Sequence, residues 1–375
     1  MDKLLAEQKP MQWILHAFKG GKYEVSANTT YKEDAVEPIL RSLPFMNEAN
    51  ITQPQDAALQ ETDSGYVITP EVEGNALDED KVISLVKEAV QNETTELSLA
   101  DQDCYLKPTV YQNDEALNQQ MHTLNSLTGA KLTYTVKGTT STIDHAVLKS
   151  WLVQDENGNY AIDESKEEEF INQLADQIDT YGKSRKFTTH DGAQITLATN
   201  KYGWQVDREK SLEDLKEALA EGKEQEMELS YSHKAKGSGD NDLGDVYVEI
   251  SIDRQTMWCY KNGQVVVETP VVTGDISKAG RATPKNGCWP IFWKTTEYTM
   301  NGPRDENGTP EYTTFVHYWM PFNGGVGIHD LASRGNNFGG DIYKTNGSHG
   351  CINTPLAAVK TIYETVSVGT PVIVY

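Results

Sequence analysis

Cysteine is scarce. The chain has four in 375 residues, at Cys104, Cys259, Cys288 and Cys351, and no two form a CxxC pair. That spacing gives no support to zinc-finger or thioredoxin-like sites, and four is too few for a disulfide scaffold in a chain this long. Long apolar runs are missing as well. No stretch of 18 apolar residues occurs, so no segment reads as a membrane-spanning helix. Residues 1–7, MDKLLAE, lack the basic and apolar regions of a signal peptide. Basic residues are outnumbered 33 to 56, which argues against a nucleic-acid partner. The deficit is uneven. Residues 245–375 hold 10 Lys+Arg against 12 Asp+Glu, so nearly all of the net charge of −23 falls on the first 244 residues. Their helix charges read as solvated faces.

What is present begins with a repeat. The segment from Gly74 through Asp78 to Val90 aligns with Gly203 through Asp207 to Leu219 at a constant offset of 129. Ile83, Val86 and Val90 match Leu212, Leu215 and Leu219. Each copy predicts a short strand (66–68 or 194–197), a glycine turn and an Asp-capped amphipathic helix. A second strand follows (95–99 or 226–231), and another helix lies upstream (33–46 or 164–180). A period this long fits two tandem α+β domains better than a solenoid. The boundaries are 1–22 for an N-terminal segment, 23–126 and 127–235 for the repeats, and 236–244 for a Gly/Ser/Asp linker.

Residues 245–375 differ in character. Alternation over 246–252, then Asn262-Gly263 between two strand-like runs, signals a hairpin. Residues 269–272, 291–294 and the C-terminal 369–375 add strands, and one helix is expected over 355–364. The whole is a multidomain chain: two α+β domains, then a mostly-β module. Core packing is expected for Trp258, Trp289 and Trp293, and for Cys104, Cys259 and Cys288.

The chemistry concentrates in Ser348-His349-Gly350-Cys351-Ile352-Asn353, with Gly327-Ile328-His329-Asp330 upstream. A thiol attacks as thiolate and needs an imidazole to take its proton and return it to a leaving amine. Gly350 allows a tight turn that can aim the amides of Gly350 and Cys351 at one oxyanion. His317 reads as an ordinary strand histidine.

These motifs, with Val272-Thr273-Gly274, Ala282-Thr283-Pro284, Phe338-Gly339-Gly340 and Gly369-Thr370-Pro371-Val372, resemble the L,D-transpeptidase (YkuD) catalytic domain across 245–375. The acidic repeats resemble the peptidoglycan-binding domains that precede it in some wall enzymes. The resemblance implies a cysteine acyltransferase that forms 3→3 cross-links through an acyl-cysteine. The donor is a tetrapeptide stem and the acceptor is the side-chain amine of another stem. It implies Cys351 as nucleophile, His329 as base, His349 and Gly350 in the nucleophile turn, and Ser348 or Asp330 as the group orienting His329. Tyr318, Trp319, Phe338, Gly339 and Asn353 are the expected substrate contacts. Asn353 stands where many relatives carry arginine, and Cys288 where an ordinary residue is usual. No metal or organic cofactor is implied. The implied partners are peptidoglycan stem peptides, with carbapenem β-lactams as inhibitors. A monomer outside the cytoplasmic membrane or in the cell wall is expected, with residues 1–22 the remnant after a missing anchor. Two rival readings use the same site differently: an L,D-carboxypeptidase with water as acceptor, and a wall-binding protein with a vestigial module.

Overall fold

The computed structural model describes residues 17–19, 31–238, 241–304 and 306–375. The N-terminal segment, save 17–19, lies outside them. The chain divides into two units, one up to about residue 121 and one from 122 to the C-terminus.

In the first unit, strands Ala58–Thr62 and Gly65–Thr69 pair. The helix Glu79–Gln91 starts where the Asp78 side chain accepts the Lys81 N–H. That cap satisfies one of the donors a helix start leaves open. Val82 and Ile83 pack with Leu40, Leu77 and Cys104. Residues 95–99 do not form the expected strand. Leu99 packs against this small core without a strand beside it, so the alternation of Leu97 and Leu99 has no ladder to join. The helix expected over 33–46 is broken: only Val36–Arg41 is α-helical.

The second unit builds the same local element. Asp207 caps the helix Arg208–Glu221 through the Lys210 N–H. In both places the Asp N–H bonds a carbonyl beyond the helix, Cys104 for Asp78 and Ser230 for Asp207. In both, the glycine four positions earlier has positive φ and touches another segment. Strand Glu224–Met227 pairs in parallel with Lys131–Val136, and the helix Glu164–Ile178 covers them. The expected strand at 226–231 is split, ending at Met227 and resuming at Tyr231–His233.

After residue 245 two sheets pack over one apolar core that includes Val248, Met257, Trp289, Phe322, Ile328 and Ile352. The six-stranded sheet holds the hairpin Thr256–Lys261/Gln264–Pro270, whose turn residues Asn262 and Gly263 both have positive φ. That is the geometry a two-residue hairpin turn requires. The strand Pro371–Val374 is central in this sheet, between Val246–Ser251 and Gly287–Pro290. Its edge is finished by Thr199–Asn200, in parallel with Gly287–Cys288. Residues 291–294 form no strand, and the Trp293 ring is 41% exposed, edge-on to Tyr298, rather than in the core. The described part of 236–244 is held down: Trp204 Nε1 donates to the Gly237 carbonyl and the Tyr202 hydroxyl to that of Asp242. All four cysteines are free and buried.

The four-stranded sheet carries the site. Its order is Thr295–Asn301, Thr313–Asn323, Val326–Asp330, Ile352–Thr354. The helix Leu356–Thr365 follows directly and packs Val359 and Ile362 into the core.

Candidate active site

Register brings the thiol and the imidazole together. In the parallel pair, Ile328 lies opposite Ile352 and His329 opposite Asn353. One step back, Gly327 lies beside Cys351. Alternate residues of a strand share a face, so Cys351 and Asn353 both flank the face on which His329 sits. The two positions are separated by about 6–7 Å along the strand. Gly327 lets the Trp319 ring and the neighbouring strand pack close against the backbone. A Cβ there would lie 2.7 Å from the Trp319 ring and from the Met320 carbonyl.

The turn holding Cys351 is braced from three directions. The Ser348 hydroxyl donates to the Cys351 carbonyl at 2.6 Å and accepts the Gly350 N–H at 3.0 Å. The Gly350 carbonyl accepts from the Thr283 hydroxyl at 2.7 Å, and that hydroxyl also accepts the Gly274 N–H. Backbone bonds tie Ser348 to Thr273 and Asp275. Gly350 itself has φ +118°, which L side chains rarely adopt. The motifs around Thr273 and Thr283 are therefore the frame of the turn. Because Ser348 takes the Gly350 amide, the oxyanion donor expected there is engaged, and the Cys351 amide is the one left from this pair.

His329 is buried. Its Nδ1 lies 2.7 Å from the backbone carbonyl of Asp330, and its Nε2 3.2 Å from Nδ2 of Asn353. The protons follow from the donor inventory. A carbonyl only accepts, so Nδ1 carries the hydrogen. Arg334 Nε only donates, and it reaches Asn353 Oδ1 at 2.7 Å. Asn353 must then turn its NH2 to His329, and Nε2 is the basic lone pair. Burial pushes the His329 pKa below its usual value, against the pull of Asp330, and Arg334 pushes the same way. The imidazole rests neutral. Burial also pushes the Cys351 thiol up to about 11, with the Gly327 N–H opposing. Its Sγ faces the Gly325 carbonyl at 3.6 Å.

The orienting group is thus the Asp330 main chain. The Asp330 carboxylate accepts the consecutive N–H groups of His317 and Tyr318 and bonds His317 Nδ1 at 2.8 Å. Burial pushes its pKa up, but these bonds outweigh that and hold it below the usual range. Val316, Trp319 and Cys351 form one small buried cluster. The Trp319 ring also lies 5.6 Å from the His329 ring, centroid to centroid.

Of the other expected contacts, Asn353 and Trp319 are at the site. Tyr318 packs against Tyr363 and the core, Phe338 packs against the same core, and Gly339 donates its N–H to the Val271 carbonyl. His349 instead has its ring 4.5 Å from that of Tyr312 and its Nε2 3.5 Å from Glu311. Three participants were not anticipated: Arg334, Thr283 and Tyr312. Thr283 and Tyr312 stand in motifs or loops far along the chain, and only the fold shows what they touch.

Residues 245–374 match the YkuD family, L,D-transpeptidase catalytic domain, and residues 110–228 match the family described as "Putative peptidoglycan binding domain". A search of curated proteins gave no match. Among solved structures, the Enterococcus faecium L,D-transpeptidase C442S mutant is 32% identical with a TM-score of 0.52, over 68% of this chain and 100% of that one. The Ldtfm–avibactam carbamoyl enzyme is likewise 32% identical with a TM-score of 0.52, over 69% and 98%. Among the described residues no helix is long and apolar enough to cross a membrane. With a catalytic domain of that family and a domain matching the peptidoglycan-binding family before it, this wall-associated chain belongs to the L,D-transpeptidases.

Proposed function

We propose that the chain forms 3→3 cross-links in peptidoglycan through an acyl-cysteine on Cys351. The observation that carries this is the neutral, Nδ1-protonated His329 on the sheet face shared with Cys351. His329 Nε2 takes the thiol proton as sulfur attacks the carbonyl of the third stem residue. The Cys351 amide faces the resulting oxyanion. Collapse breaks the peptide bond, and Nε2 gives its proton to the departing amine of the terminal D-Ala. A side-chain amine of a second stem then attacks the thioester and loses its proton to Nε2, and the sulfur leaves as thiolate and is reprotonated.

Asn353 shapes this cycle. Once Nε2 carries a proton, it and the Asn353 NH2 are both donors. The imidazolium is therefore poorly held, which favours passing the proton on. The Ser348 and Thr283 bonds keep the turn from relaxing as the sulfur changes partners. Residues 23–126 and 127–235 serve as wall-binding domains in this reading, and residues 236–244 join them to the catalytic domain. The carbamoyl enzyme that a similar transpeptidase forms with avibactam supports expecting electrophilic inhibitors at this site, and carbapenem β-lactams are expected to acylate Cys351.

The test is mass spectrometry of products after incubation with a disaccharide-tetrapeptide. A dimer lacking one D-Ala supports transpeptidation. Loss of D-Ala with gain of water and no dimer makes the enzyme a carboxypeptidase, and no product in either form makes the module vestigial.

A further inference from the structure

Arg334 is unlike the other cations around the site. Arg281 pairs with Glu311, Lys344 with Asp341 and Lys278 with Asp275. Arg334 is partly buried, and among the described residues it forms no ion pair. Its Nε donates to Asn353 Oδ1 and one Nη2 hydrogen to the Asn346 carbonyl at 3.0 Å. A guanidinium has five donors in a planar fork, so three remain without a protein partner in these bonds. Burial of this charge lowers its pKa with no carboxylate to offset it. Removing a cation from water without a counter-charge is costly, and a ligand anion would remove that cost.

Its position specifies which anion. The Asn353 side chain bridges the guanidinium and His329 Nε2 through two hydrogen bonds. In the reaction proposed above, Nε2 hands its proton to the nitrogen of the departing residue. The carboxylate of that residue is two bonds from the same nitrogen. A terminal carboxylate on the leaving group therefore falls on the side where Arg334 waits, and the planar fork suits two carboxylate oxygens.

We propose that Arg334 binds the terminal carboxylate of the leaving residue and is the side chain that reads the donor's free C-terminus. The inference rests on the functional reading above. Bridging that bond by one more residue would move the carboxylate out of reach and leave a neutral amide in its place.

The experiment compares two donors with the full chain: a tetrapeptide stem ending in a free carboxylate and the same stem ending in a carboxamide. Release of the terminal residue is followed by mass spectrometry for the unmodified chain, Arg334→Gln and Arg334→Lys. The unmodified chain should prefer the carboxylate in kcat/KM by about 10- to 100-fold, as loss of a buried charge-assisted hydrogen bond would give. Arg334→Gln should bring the ratio of kcat/KM for the two donors to about 1, any loss common to both reporting the missing bond to Asn353. Arg334→Lys should keep part of it. Iodoacetamide labelling of Cys351 at the unmodified rate should show that the site is intact. Equal losses on both donors would make Arg334 a positioning residue for Asn353 and overturn the proposal, as would no preference in the unmodified chain. Release from neither donor by the unmodified chain would remove the functional reading and this inference together.

Discussion

Cys351 and Cys288 are two buried thiols at strand ends in different sheets of one domain. Burial pushes Cys288 up to about 12 and Cys351 up to about 11. The thiols themselves scarcely differ. Their surroundings do. Cys288 packs among Phe187, Leu197, Tyr202 and Ile373. Cys351 sits in a braced turn beside glycine, with a neutral imidazole on the same face. The lesson is that, in the proposed reaction, reactivity would come from the base and the turn rather than from a thiol that ionises by itself.

The largest effect should come from exchanging the two roles. Cys351→Ala should abolish product, because the covalent route is gone. Cys288→Ala should retain activity within about twofold and lose about 1 kcal/mol of stability in a denaturant titration, from a small unfilled space. Next comes His329→Ala, expected to lose about 10²–10⁴-fold in kcat/KM, the usual worth of a positioned base.

A pH profile sharpens the contrast. As pH falls through the lowered His329 pKa, Nε2 gains a proton and cannot accept another. The acid limb of kcat/KM should therefore lie below the ordinary histidine value of about 6.5. Cys351 alkylation by iodoacetamide should show no plateau near pH 5–6, because a thiol pushed up to about 11 is not a standing thiolate. Asn353→Ala removes a donor that disfavours the imidazolium. Its acid limb should move up in pH, with about a tenfold loss of rate, the worth of one hydrogen bond. A smaller effect concerns the edge of the sheet holding Cys288. Residues 245–375 alone should fold but melt below the full chain, because Thr199–Asn200 and the apolar cluster around Cys288 are lost. Coincident melting curves would show that the edge strand contributes nothing.

Much of this was legible in the residues. Asn262-Gly263 specified its hairpin, Asp78 and Asp207 their helix starts, and the terminal Val/Ile run its central strand. Cys351 could be singled out because thiol chemistry restricts the residue types that serve it, and the family resemblance chose His329 over His349 as its base. What could not be read depended on register. The resemblance offered an Asp330 backbone carbonyl as one way to orient His329, but nothing local in the sequence says that the Asp330 carboxylate serves His317. The Arg334 contact joins a loop to a strand 19 positions away. The strand expected at 95–99 failed because alternation without a neighbouring edge is no ladder, and Trp293 is exposed because the chain at 291–294 leaves the sheet.

The central claim is that acyl transfer passes through Cys351 and no other thiol. The most direct measurement is intact-protein mass after rapid quenching with a tetrapeptide stem in the absence of an acceptor, followed by peptide mapping. The account predicts one acyl adduct, missing the terminal residue, on the peptide containing Cys351, and none in Cys351→Ala. An adduct on Cys288 or Cys259, or dimer formed by Cys351→Ala, would contradict it.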